Sequence, residues 1–219
     1  MDHAVARRNM VDSQIRPSGI EDLKLIAAMG SVAREAFLPR SDQGLAYMGG
    51  EIEVGPGRVL SAPLTLARLI QAAEIKPSDV VLHVGAGVGY GSALLAQLAS
   101  TVVALDADSG LVETANRVLA DLGALNVAVL QGDMASGYPR QAPYDVIVIE
   151  GLVAEVPESL LSQLAEGGRL SALVALETGR MGRGTVFTMH KGTIGRRERF
   201  DAAATPLPGF EAKDRFIFA

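Results

Sequence analysis

Asp106 ends the apolar run TVVALD at 101–106, and a carboxylate at the end of a buried strand can accept hydrogen bonds from both hydroxyls of a ribose. Roughly 20 residues earlier, the usual spacing for such an acid, the segment VVLHVGAGVGYG at 80–91 passes from an apolar run into Gly85, Gly87 and Gly89. With no Cβ in the way, main chain at these glycines can approach a ligand closely. The amides that open the next helix favour an anionic ligand group. Asp133 follows another apolar run, NVAVLQGD, where it can receive an adenine amino group or a nearby backbone donor. The competing reading of Asp133 is a turn aspartate that caps its own loop. Together these residues describe a pocket for a nucleoside cofactor.

The spacing narrows which one. A dinucleotide fingerprint is G-x-G-x-x-G, and its third glycine position here holds Tyr90. No arginine lies just after Asp106 to receive a 2′-phosphate. The loop suits a small carboxylate, such as the methionine end of S-adenosylmethionine, better than a diphosphate. A tight turn with no ligand is the bland alternative, and a nicotinamide-dependent dehydrogenase ranks last.

The elements needed to position these residues are legible from periodicity. Short apolar strands at 80–84, 101–106, 126–130 and 144–149 alternate with helices at 62–74, 89–99 and 109–122. That alternation predicts an α/β fold with a mostly parallel sheet and helices on both faces. Ligands of such sheets bind beyond the carboxyl ends of the strands. Gly85–Gly89, Asp106, Gly132–Asp133 and Glu150–Gly151 all fall at such ends. A helix at 157–165 and a Gly167–Gly168 turn come next, then strands at 169–176, 184–190, 195–200 and 213–218, read as antiparallel edge strands. Residues 4–38 read as two or three short helices, and 39–60 as a loop or short hairpins. The whole of 1–219 is read as one domain, an N-terminal segment to residue 60 and a core from 61. Ser61-Ala62-Pro63 reads as a helix N-cap with proline in the first turn.

Composition sets the outer bounds. The 219 residues are 48% hydrophobic and 21% charged, enough apolar material for a full core. No uninterrupted apolar stretch reaches the roughly 20 residues of a membrane helix, and MDHAVARRNMVDSQIRP has no signal-peptide core. With no cysteine there are no disulfides, thiolate metal sites or cysteine nucleophile. A cytoplasmic protein with no membrane partner is expected. A net charge of −5 gives no general attraction to nucleic acid, so the basic clusters at 180–183 and 196–199 read as solvated faces. His3, His83 and His190 have no ligand spacing, so no metal site is expected.

Over nearly its whole length the chain resembles the protein-L-isoaspartate O-methyltransferase family. The likeness lies in MVDSQIRPSGIEDLKLIAAMGSVAREAFLP (10–39), VGPGRVLSAPLTLA (54–67), HVGAGVGY (83–90), NVAVLQGD (126–133), APYDVIVIEG (142–151) and VPESLLSQLAEGGRL (156–170). The resemblance implies a Rossmann-like methyltransferase fold and S-adenosylmethionine as donor. The implied acceptor is an isoaspartyl residue of a damaged protein or peptide. It further implies that Ser61 is the catalytic serine, that Gly85, Gly87 and Gly89 form the cofactor loop, and that Asp106 and Asp133 hold ribose and adenine. A carboxylate is already nucleophilic, so such an enzyme needs in-line positioning and exclusion of water more than a base. Two positions depart from the family pattern. His83 stands where an acidic residue near the cofactor's ammonium is usual, and Glu150-Gly151-Leu152 replaces a small, alanine-rich stretch. They keep two alternatives open, a different methyl acceptor and a catalytically weak relative that retains the pocket.

Overall fold

The computed structural model describes residues 2–176 and 179–212. The N-terminal segment forms α1 (His3–Met10), continued by a π-helical turn at Val11–Ile15, and then α2 (Leu23–Ser31). The region expected as loop or hairpins contains one hairpin, β1 (Ile52–Gly55) and β2 (Arg58–Leu60). The alternating part follows as α3 (Pro63–Ala72), β3 (Val80–Val84), α4 (Tyr90–Ala96), β4 (Thr101–Asp106), α5 (Ser109–Asp121) and β5 (Val127–Gln131). Then come β6 (Tyr144–Val153), the single turn α6 (Glu158–Leu161), β7 (Leu164–Ala175), β8 (Met181–His190) and β9 (Thr193–Ala203).

Strands β3 to β9 build one seven-stranded sheet in the order β5-β4-β3-β6-β7-β8-β9. The pairs among β5, β4, β3, β6 and β7 are parallel, and β7–β8 and β8–β9 are antiparallel, the predicted α/β Rossmann-like arrangement. From β3 the chain builds outward through β4 and β5, then crosses back to place β6 on the other side of β3. That reversal opens a crevice at the carboxyl ends of β3 and β6.

The central strands are apolar without a break because both faces are covered. Val81, Val102, Val146 and Val148 face the helices α1 to α5. Their strand neighbours Leu82, Val103, Ile147 and Ile149 face α6 and the segment carrying Leu207 and Phe210. The period of two therefore assigns His83 to the same side as Val81, beneath α4.

Two expectations need correction. The helix expected at 157–165 stops at Leu161, because Leu164 is buried and enters β7 opposite Tyr144. The Gly167–Gly168 turn consequently lies inside β7, where the register with β6 shifts between Tyr144 and Val146. The strand expected at 213–218 lies outside the described residues. The basic clusters are matched by acids: Arg183 pairs with Glu198 at 2.7 Å and Asp201 at 2.6 Å, Arg180 with Glu51, and Arg199 with Glu74 at 3.2 Å. Among the described residues no helix is long and apolar enough to cross a membrane.

Candidate active site

The glycine loop joins β3 to α4, and all three glycines have positive φ: +76° at Gly85, +56° at Gly87 and +96° at Gly89. Their side-chain positions point to different surroundings. A Cβ on Gly85 would lie 2.8 Å from the Glu150 carbonyl oxygen, and one on Gly89 would lie 3.0 Å from Ala115 Cβ. These two glycines let the loop pack against β6 and α5. A Cβ on Gly87 would meet nothing closer than Arg58 Nη2 at 3.8 Å, so Gly87 is the one that faces open space.

The loop's amides are mostly used internally. Gly85 and Ala86 donate to the Leu105 carbonyl, Gly89 donates to Ala86, and Gly87 donates to Asp106 Oδ2 at 2.7 Å. The expected bare-amide cradle is therefore partly spent on holding β3 to β4. What the loop offers a ligand is close approach at Gly87.

Asp106 sits at the end of β4 as predicted, 1% exposed. Its partner was not legible in the chain order. Arg58, 48 residues earlier on β2, donates from Nη1 to Oδ1 at 2.7 Å and from Nη2 to Oδ2 at 2.6 Å. The Asp108 amide adds a further donor to Oδ1 at 3.1 Å. An arginine does reach this acid, from a hairpin across the crevice and not from the loop that follows it.

Asp133 lies after β5 and is exposed, accepting from the Ala135 amide at 3.1 Å and from the Ser136 hydroxyl. It caps its own loop, as the bland reading had it, and it also lines a cleft of about 360 Å³. Arg58, Ala107, Asp108 and the buried Met134 share that cleft. Its wall thus combines carboxylates on the rim with the Met134 thioether.

Ser61 follows β2 directly, so the strand that sends Arg58 to Asp106 also delivers Ser61. The capping role expected from its residue type is not what the structure shows. Ala62 is the N-cap of α3, no side chain caps that helix, and Pro63 begins it. The Ser61 hydroxyl is thus not spent on the helix. Its carbonyl accepts from Arg34 Nη2 at 2.6 Å, and Arg34 Nε donates to the Ala46 carbonyl at 2.7 Å. Arg34 is fully buried and its guanidinium lies 4.8 Å from the centre of the Tyr90 ring. Burial lowers the Arg34 pKa from its ordinary value and raises that of the Tyr90 phenol to about 12. Arg34 and Arg58 are the residues that reasoning from sequence passed over. An arginine amid apolar neighbours was the available signal, but it names no partner.

His83 and Glu150, the two departures, are brought together. Their Nε2 and Oε2 atoms are 3.0 Å apart, and His83 Nδ1 is 2.8 Å from Ser92 Oγ.

Known proteins resemble this assembly throughout. The family model described as Protein-L-isoaspartate(D-aspartate) O-methyltransferase (PCMT) matches residues 6–191. A protein-L-isoaspartate O-methyltransferase of Methylorubrum populi is 42% identical over 165 residues, covering 75% of this chain and 77% of that protein. One from Koribacter versatilis is 35% identical over 206 residues, covering 94% and 92%. Among solved structures, a protein-L-isoaspartate O-methyltransferase superposes with a TM-score of 0.81 at 24% identity, over 93% of this chain and 67% of that one. A Plasmodium falciparum protein of the same description, in complex with S-adenosyl-L-homocysteine, gives 0.80 at 20% identity over 95% and 99%.

Proposed function

This chain belongs to the protein-L-isoaspartate(D-aspartate) O-methyltransferase family, and from that premise we infer that it methylates the free α-carboxylate of L-isoaspartyl residues in damaged proteins. When bound, S-adenosylmethionine supplies an electrophilic methyl group; the acceptor oxygen bonds to it as the carbon–sulfur bond breaks, leaving the methyl ester and S-adenosylhomocysteine. No proton has to move, so the residues position and shield and do not act as a base.

The parts for that task stand along one sheet edge. Asp106 is assigned to clasp the ribose, with the main chain at Gly87 free to lie against it. Asp133, Met134 and Ala107 border the cleft assigned to adenine. Ser61, uncommitted to the α3 cap and 5% exposed, is assigned to orient the acceptor carboxylate through its hydroxyl. Arg34 fixes Ser61 by its carbonyl.

The observation that carries this reading is the continuity of the family match across residues 6–191, which takes in Ser61 and every residue assigned to the cofactor. The test is a labelled-methyl transfer assay on an isoaspartyl peptide, with its aspartyl counterpart as control. Base-labile label on the isoaspartyl peptide alone is expected. Cofactor binding without any ester formation on that peptide would refute the acceptor assignment.

A further inference from the structure

Three acids stand at the carboxyl edge of the sheet near the glycine loop, and they differ in what already holds them. Asp106 takes Arg58 and two backbone amides. Asp133 is exposed and takes an amide and a hydroxyl. Glu150 is 7% exposed, and its Oε2 is fully enclosed with no hydrogen-bond donor among the described residues. His83 Nε2 is near at 3.0 Å, but it too lacks a hydrogen-bond partner, so the pair touches without alignment. Among the described residues the buried Arg34 Nη1 is also without a hydrogen-bond partner. Buried polar atoms are normally satisfied, and an idle carboxylate oxygen in such a place is costly until a donor arrives.

The room at this point is made by sequence. Glu150 ends the apolar run of β6, beside Gly85 of the loop. A Cβ on Gly91 would overlap Glu150 Oε2 and lie 2.7 Å from His83 Cε1, so a glycine in the first turn of α4 is what admits both side chains. Ser92, one residue on, fixes the far side of the imidazole.

Resting on the cofactor reading above, we propose that Glu150 receives the ammonium of the cofactor's methionine end and that His83, braced by Ser92, is its positioning residue. The anion that β3 lacks at His83 is supplied from the adjacent strand β6. An ammonium seated on Glu150 also neutralises the charge that an acceptor carboxylate would otherwise meet. The isoaspartyl substrate and a buried glutamate are then compatible in one site.

Calorimetry with two ligands tests this: S-adenosylhomocysteine, which carries the amino-acid end, and 5′-deoxy-5′-methylthioadenosine, which lacks it. Glu150→Gln keeps the shape and removes the charge. It is expected to weaken S-adenosylhomocysteine by roughly 10- to 100-fold, the range for a hydrogen bond to a charged group, while methylthioadenosine binds as before. Glu150→Asp is expected to recover part of the difference, and His83→Gln to lose a smaller part of it. Methylthioadenosine binding reports that each variant is folded. Unchanged affinity for S-adenosylhomocysteine, or an equal loss for both ligands, overturns the assignment of Glu150. If the unmodified protein binds neither ligand, the cofactor reading itself falls, and the assignment with it.

Discussion

Arg58 holds both oxygens of Asp106, at 2.7 and 2.6 Å, in a two-point ion pair whose side chains are 8% and 1% exposed. With the amides of Gly87 and Asp108 added, the four acceptor positions of the carboxylate are filled. A ribose that takes this acid must displace at least one of these donors, and Arg58 is the one carried on a side chain. Arg58 lies on the short hairpin strand that leads straight into Ser61, so its release is coupled by covalent chain to the acceptor side of the site.

Arg58→Gln therefore separates the two uses of Asp106. Leaving a buried carboxylate short of its cation costs on the order of 3–5 kcal/mol, so the ligand-free variant should melt several degrees lower. The ribose then competes with no guanidinium, and S-adenosylhomocysteine should bind several-fold tighter by calorimetry, consistent with a share of that strain being relieved on binding. Weaker binding would mean that Arg58 touches the ligand instead of yielding to it.

The three loop glycines should fail in different ways when changed to alanine. Each incurs about 1–2 kcal/mol for a side chain in the left-handed region. Gly85→Ala also drives a Cβ to 2.8 Å from the Glu150 carbonyl oxygen and 3.0 Å from Leu207, so it should unfold most readily. Gly87→Ala meets no close neighbour, so its melting temperature should fall less while cofactor affinity drops about tenfold or more, about 1.4 kcal/mol or above. Thermal melts beside calorimetry on the two variants decide it.

The sheet was readable because its central strands are buried on both faces and end in glycine or acid. β3, β4 and β5 fell within a residue or so of where apolar runs placed them, and Asp106 and the loop were positioned with them. The contacts that complete the site were not readable. Arg58 reaches Asp106 across 48 residues, and Arg34 reaches Ser61 across 27, with no local pattern that specifies either. Ser61 looked like a cap because residue preference favours serine before Ala-Pro, whereas the chain begins α3 one residue later. Glu150 and His83 were each anomalous alone, and only the pairing of β3 with β6 shows them as neighbours.

Alkaline pH should destabilise the fold through its buried phenols. Burial raises Tyr90, Tyr47 and Tyr144 from 10.0 to about 12. Between those values the unfolded chain has lost protons that the folded one retains, so stability is fully present below pH 10 and falls as pH rises toward 12. Tyr90→Phe removes one such group, and its hydroxyl has no hydrogen-bond partner among the described residues to lose. Urea unfolding at pH 9, 10 and 11 should show a shallower loss for this variant, by up to about 1.4 kcal/mol per pH unit. Near neutral pH its stability should change little. An unchanged alkaline slope would remove Tyr90 from the account.

Ser61 and Arg34 test whether the acceptor side is built as described, because Ser61 is held by its carbonyl and is proposed to act through its hydroxyl. Ser61→Ala leaves the carbonyl that Arg34 binds and removes a hydroxyl that caps no helix. Stability and cofactor affinity should therefore stay near those of the parent protein, while turnover of an isoaspartyl peptide falls about 10- to 100-fold, the scale of one hydrogen bond to a charged acceptor. Arg34→Met keeps much of the volume but strands the carbonyls of Ala46 and Ser61, each worth about 1–3 kcal/mol when left unpaired. That variant should lose several kcal/mol of stability along with its turnover. The two variants thus predict opposite patterns in a melt and similar patterns in an assay. If Ser61→Ala melts as low as Arg34→Met, the hydroxyl is structural and the orienting role passes to another group; if it turns over peptide at the parent rate, the hydroxyl has no part in seating the acceptor.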